Sequence, residues 1–245
     1  MRKVLFTGIL CMALCSCSDA VMTERLGQMP TASGQSFSFD SITSPANWIQ
    51  YQSLEEMLDA CQIPEDVLKT MPTDELVATC VSHPLHSIYF AYNNELYGAN
   101  VVFNNFNGFQ ELKNRTDAPE KLLNFYRDVN FAPQAMPARC RELSNITNLG
   151  FLELYLASKQ LPALYVGENL AKLEKISNSV LEKKLKDPNC SIYNVQHSLL
   201  INAQIKLAEG AVSVEDERVL KDFLKSAGNV QDADMYTKVS QIVSR

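Results

Sequence analysis

No stretch of this chain is long and apolar enough to cross a bilayer. The longest apolar run, Val4 to Leu14, is interrupted by Thr7 and Gly8 and falls far short of the ~20 residues that a spanning helix needs. No C-x-x-C pair occurs, which removes the usual basis for a zinc or thioredoxin-like site. The G-x-S-x-G elbow that exposes a hydrolase serine is also missing. Only three histidines are available for acid-base or metal chemistry, and there is a single tryptophan. Basic charge is in deficit as well, with 22 Lys+Arg against 28 Asp+Glu and a net charge of -6. A nucleic-acid binder needs a clustered basic face, so no nucleic-acid partner is expected. Nothing in the pattern calls for a cofactor or a metal ion.

What is present begins at the N-terminus. Arg2 and Lys3 precede the short apolar run, and Leu14-Cys15-Ser16-Cys17 closes it, the layout of an export signal with small residues before its cleavage point. These four residues resemble the lipobox of bacterial lipoproteins, with Cys15 standing where that pattern usually has Ala, Ser or Thr. The resemblance implies cleavage before Cys17, acylation of its thiol, and a place in the bacterial cell envelope, at the outer membrane. Two or three acyl chains, at roughly 0.8 kcal/mol per buried methylene, hold a soluble body on a bilayer. Ser18-Asp19 resembles the acidic start of surface-exported lipoproteins in Bacteroidota-type bacteria; the periplasmic and the outer face both stay open. Residues 1-16 are thus read as signal peptide, 17-50 as lipidated cysteine and tether, and 51-245 as one domain. Losing residues 1-16 removes Arg2 and Lys3, leaving 20 Lys+Arg against 28 Asp+Glu, a net of -8. Such a body is repelled by anionic head groups, so the bilayer contact is expected through Cys17 alone.

Four cysteines remain beyond the signal: Cys61, Cys80, Cys140 and Cys190. An even number outside the cytosol permits two disulfides in three pairings. Each also lies in or beside an apolar helical pattern, where free cysteine is commonly buried. Reduced core thiols and a bridge, with Cys61 to Cys80 as the foremost pair, are both compatible with the spacing.

Residues 18-47 are rich in Ser, Thr, Gly and Pro and form a tether with a span of about 30 Å if flexible. Phe37, Phe39 and Ile42 alternate within it, predicting an extended piece laid on the body, and Trp48 is expected to mark the docking point. Asp40-Ser41-Ile42 resembles a short acceptor pattern for O-linked glycans in the same bacterial group, which implies modification of Ser41. From Ser53 the punctuation is helical: Ser53-Leu54-Glu55-Glu56 is a capping box, and Pro64 and Thr73 open further helices. Ile88, Tyr92, Leu96, Ala99, Phe103 and Phe106 recur at gaps of four, four, three, four and three. That spacing predicts one amphipathic helix, ended by Asn107-Gly108 as a left-handed terminator. Further helices are expected over Arg139 to Ser158, Gly167 to Lys186, Tyr193 to Glu209 and Asp232 to Val243, the third of them central because it is the most apolar. The fold class is all-α, an irregular α-α superhelix or multi-helix array of about ten helices. The runs Cys61-Gln62-Ile63-Pro64, Thr73-Asp74-Glu75-Leu76, Ala91-Tyr92-Asn93-Asn94 and Asn105-Phe106-Asn107-Gly108 are similar to an uncharacterised family of secreted helical proteins of Bacteroidota-type bacteria. That resemblance implies an all-helical fold and carries no activity.

Candidate chemistry is sparse. His83 and His86 are three apart, a metal-ligand spacing, but Pro84 lies between them and no acid follows within reach. His197 and Ser198 are neighbours in sequence, which does not make a nucleophile pair. Glu55-Glu56, Glu111 and Glu215-Asp216-Glu217 sit at or near helix starts, where carboxylates offset the helix dipole. Tyr89, Phe90, Tyr92, Tyr97, Phe103, Phe106 and Phe109 are either core or an exposed platform for peptide or carbohydrate. Lys172, Lys175, Lys183, Lys184 and Lys186 are expected to form a solvated face. The expectation is a non-enzymatic envelope lipoprotein that binds or scaffolds a protein or peptide; the alternative is an envelope hydrolase acting on glycan or peptidoglycan.

Overall fold

A computed structural model describes residues 37-128, 149-227 and 233-245. Among them are thirteen α-helices and no strand. In chain order these are α1 (Asp40–Thr43), α2 (Pro45–Trp48), α3 (Leu54–Ala60), α4 (Glu65–Thr70), α5 (Thr73–Val81), α6 (Glu95–Asn105), α7 (Asn107–Asn114), α8 (Ala118–Asp128), α9 (149-157), α10 (Gly167–Lys186), α11 (Ile192–Glu209), α12 (Val214–Ser226) and α13 (Ala233–Val243). Single 3-10 turns at Ile88–Ala91 and Pro162–Tyr165 precede α6 and α10. The all-α multi-helix array expected from the sequence is what the chain forms. Cys17 and the rest of the lipobox, Cys140 and the first half of the Arg139-Ser158 helix lie outside the described residues.

The helices start and stop where local chemistry requires. Ser53 Oγ accepts from the Glu56 amide at 3.1 Å, while Glu56 reaches back to the Gln52 amide at 2.6 Å, so the predicted capping box closes one residue earlier than its ideal form. Asn94 caps α6 through the Tyr97 amide at 2.8 Å, and Ser213 caps α12 through the Asp216 amide at 3.1 Å.

Two local expectations are corrected. The stripe beginning at Ile88 is not one helix: a 3-10 turn and an extended Tyr92 interrupt it, and α6 starts only at Glu95. Ala99, Phe103 and Phe106 are fully buried, whereas Ile88, Tyr92 and Leu96 are half-buried. Asn107-Gly108 is not a left-handed terminator either. The break comes from Phe106 in an extended conformation, and Asn107 opens α7. The Asn107 amide side chain clamps the Ile63 backbone, accepting from its N–H at 3.0 Å and donating to its carbonyl at 2.7 Å. Gly108 is there because the Phe106 ring presses on its backbone, so a Cβ would overlap the ring. The segment before Trp48 is helical in α1 and α2 rather than extended. It docks through Phe39, whose ring meets His83 at 5.5 Å and Phe106 at 6.1 Å; Trp48 packs on the same core, half-buried.

The array has two halves with α9 between them. In the first, α5 packs on α7 and α8, and α6 packs on α7. In the second, α10 packs on α11, and α11 on α12 and α13; α8 against α10 joins the halves. Every residue from 149 to 157 is buried, so α9 has no solvent side. Its Phe151 and Tyr155 meet Phe103 at 4.9 and 5.1 Å, and Tyr155 meets Phe109 at 4.6 Å. These tilted and edge-to-face contacts add to area burial. Helix α11 is buried continuously from Asn194 to Ala203, the central position its composition predicted.

Candidate functional site

Glu153, on α9, is a single acid in an otherwise apolar run, and it is wholly buried. Burying a carboxylate is costly unless every lone pair is used. Here Oε1 accepts from Tyr126 Oη at 2.8 Å and Ser198 Oγ at 2.6 Å, and Oε2 accepts from Lys184 Nζ at 2.5 Å. Lys184 Nζ also donates to the Asn194 carbonyl at 2.6 Å. Asn202 extends the network, donating to Ser177 Oγ at 2.8 Å and the Ser198 carbonyl at 2.9 Å. Burial, then the nearby Glu153 charge, pushes the Tyr126 phenol well up, so it stays a donor. The cluster ties α8, α9, α10 and α11 at one point. Its polar groups are turned on one another, which makes it an internal fastening.

This arrangement corrects the expectation that Lys184 belongs to a solvated face. The buried side of α10 runs through Leu173, Ser177, Val180 and Lys184, a spacing of four, three and four that puts the lysine on the core stripe. Leu185, the next residue, is 63% exposed.

The remaining candidates are dispersed. His83 is buried between Phe39 and Phe106, and its Nδ1 accepts from the Leu85 amide at 3.1 Å. Burial, with His86 beside it, lowers its pKa to about 3. His86 Nδ1 lies 2.7 Å from the His83 carbonyl, so the pair forms a chain turn. No group of three His, Cys, Asp or Glu able to hold a metal ion occurs among the described residues. Cys61 and Cys80, the pair considered for a bridge, are both buried free thiols; burial pushes Cys61 up to about 12 and Cys80 well above its ordinary value. Cys190 is also free and half-buried. Glu111 pairs with Arg115 at 2.5 Å, Glu215 with Arg218 at 2.7 Å and Glu217 with Lys221 at 2.5 Å, each along its own helix. Ser41 is exposed on α1.

His197, by contrast, is joined to a residue 102 positions away. Its Nε2 lies 2.7 Å from Glu95 Oε2, with the imidazole 1% and the carboxylate 15% exposed. Tyr89 packs edge-on to the imidazole at 5.6 Å. Burial first, then the charges of Glu95 and Glu153, push the Tyr89 phenol up, so its hydroxyl keeps its proton.

The aromatic set divides. Tyr89, Phe103, Phe106 and Phe109 are core, Tyr92 is half-buried, and Phe90 and Tyr97 are 46% and 64% exposed. A surface cleft of ≈ 490 Å³ is bounded by α10, α11 and α13. Leu181 and Leu185, Val195 and Leu199, and Tyr236 and Val243 supply its apolar walls; Thr237, Ser240, Gln241 and Ser244 supply its polar edge. None of these ten residues is a Lys, Arg, Asp, Glu or His.

No family model, curated protein or solved structure matches the chain. No helix among the described residues is long and apolar enough to cross a membrane.

Sequence spacing did not bring Glu153 to Lys184 or Glu95 to His197. For the first pair a clue was present: one acid inside the run 149-157 and one lysine on the buried stripe of α10. For the second there was none, because Glu95 stands in the first turn of α6, where an acid already suits the helix dipole.

Proposed function

We propose that this chain is a lipoprotein of the cell envelope, held at the outer membrane through acylated Cys17, whose helical body binds a protein or peptide partner without catalysing a reaction. Support for the anchor is the segment Leu14-Cys15-Ser16-Cys17. Support for binding rests on one observation, the cleft between α10, α11 and α13. Its ≈ 490 Å³ falls within the ~300–1,000 Å³ usual for ligand pockets. An apolar floor with an uncharged polar edge is the layout of a protein-binding patch, and a groove bordered by helices suits the apolar face of a short helix or peptide. An enzyme of the hydrolase type needs titratable groups converging on an open site. This cleft offers only Tyr236, whose phenol burial pushes up.

A photo-crosslinking residue placed at Gln241 in living cells tests the reading. A discrete adduct is expected from position 241 and not from Lys69, which is exposed on α4. Leu185→Arg, at the exposed lip of the cleft, is expected to weaken the adduct roughly tenfold, the effect of about 1.4 kcal/mol at an interface. An adduct of unchanged yield in that variant contradicts the cleft as the binding surface.

A further inference from the structure

Residues 37-50, which carry α1 and α2, lie on the body with none of their side chains fully buried. Their side-chain hydrogen bonds close on one another. Thr43 Oγ1 donates to the Phe39 carbonyl at 3.1 Å, Asn47 Nδ2 to the Ser41 carbonyl at 2.7 Å, and Gln50 Nε2 to the Ala46 carbonyl at 2.7 Å. The segment is thus a small folded unit of its own. Its hold on the body, among the described residues, rests on the Phe37 amide donating to the Glu75 carboxylate and on the half-buried rings of Phe37, Phe39 and Trp48. Phe37 stands edge-on to Phe39 at 5.0 Å, and Phe39 in turn lies against His83 and Phe106.

Beneath these rings the body is packed without help from the segment. His83 and Phe106 meet at 4.5 Å, Phe106 meets Phe109 at 6.0 Å, and His83 Nδ1 already accepts from the Leu85 amide. His83 is 0% exposed, and Phe39 supplies one side of its cover. Segments that bury few apolar contacts open locally, at free energies below that of global unfolding. We propose that residues 37-50 are a releasable strap, which detaches as a unit while the helical core stays folded and uncovers His83 and Phe106. Chain order gives the detachment a consequence. With the anchor proposed at Cys17, the strap stands between the bilayer and the core, so a pull on the tether loads it before any core helix. Its release adds up to roughly 45 Å of chain between the two, at ~3.3 Å per extended residue. That consequence rests on the anchor; the detachment itself does not.

Carbethoxylation of histidine by diethyl pyrocarbonate, mapped residue by residue in the full chain by mass spectrometry, tests the detachment. His83 is expected to react at least about tenfold faster than His197, which is 1% exposed and reacts only when the core itself opens. Phe39→Ala is expected to speed the reaction at His83 by a further ~tenfold and to leave His197 unchanged. Equal rates at the two histidines in the native chain, or a variant that speeds both alike, overturn the proposal, because the strap then opens only with the core. Trp48, the only tryptophan, gives a second reading from within the strap. Its fluorescence is expected to change at lower urea than the helical circular dichroism, and coincident transitions contradict a separate opening. A chain without an acyl group would leave these readings as they are, so failure of the strap and failure of the anchor are told apart.

Discussion

Lys184→Met is expected to lower the unfolding free energy by roughly 3–5 kcal/mol, measured by urea denaturation. Methionine fits the aliphatic path of the lysine, so the loss isolates the ammonium rather than the packing. Glu153, wholly buried, would keep its bonds from Tyr126 and Ser198 but lose the one cation paired with it among the described residues. In the low-dielectric interior an unpaired charge is the dominant cost. The double variant Glu153→Leu with Lys184→Met removes both charges and is expected to recover much of the loss, since replacing a buried pair with apolar groups is often neutral or favourable. Salt should hardly change the single-variant cost, because ions do not screen a pair with side chains 5% and 0% exposed. A loss under about 1 kcal/mol, the range of a surface pair, would mean that the network does not fasten the four helices.

The second large effect is expected at Phe103→Ala. This ring is 0% exposed and sits between Phe109 at 4.9 Å, Phe151 at 4.9 Å and Tyr155 at 5.1 Å. It joins the first half of the array to α9, so its deletion opens a cavity that cannot collapse without moving a helix buried on all sides. Truncations of this kind cost about 3–5 kcal/mol. Leu96→Ala, on the same helix but half-buried, is expected to cost less. Equal losses at both positions would place the core stripe of α6 wrongly.

Capping and periodicity carried most of the fold. Ser53 marks a helix start by chemistry that acts within four residues, and Gly167–Lys186 matches the range that spacing predicted. Local patterns failed where a distant partner overrode them. The Ile88 stripe keeps a helical period through a segment that is not continuous helix, because Gly98 lets Tyr92 and the Tyr89 backbone come closer than a Cβ would allow. Lys184 looked like one more surface lysine in a basic helix end. Only the acid on α9, 31 positions away, makes burial tolerable. Surface shape was the least legible of all, since the cleft forms where side chains from α10, α11 and α13 meet and no single segment of sequence contains it.

The proposed place of this chain at a membrane rests on the anchor at Cys17, and the intact mass of the protein extracted from membranes tests that anchor most directly. The predicted mass is that of residues 17-245 carrying a diacylglyceryl group and, on the new N-terminus, a further acyl chain. A chain that still begins at Met1, or one that begins at or after Cys17 with no acyl group, contradicts it.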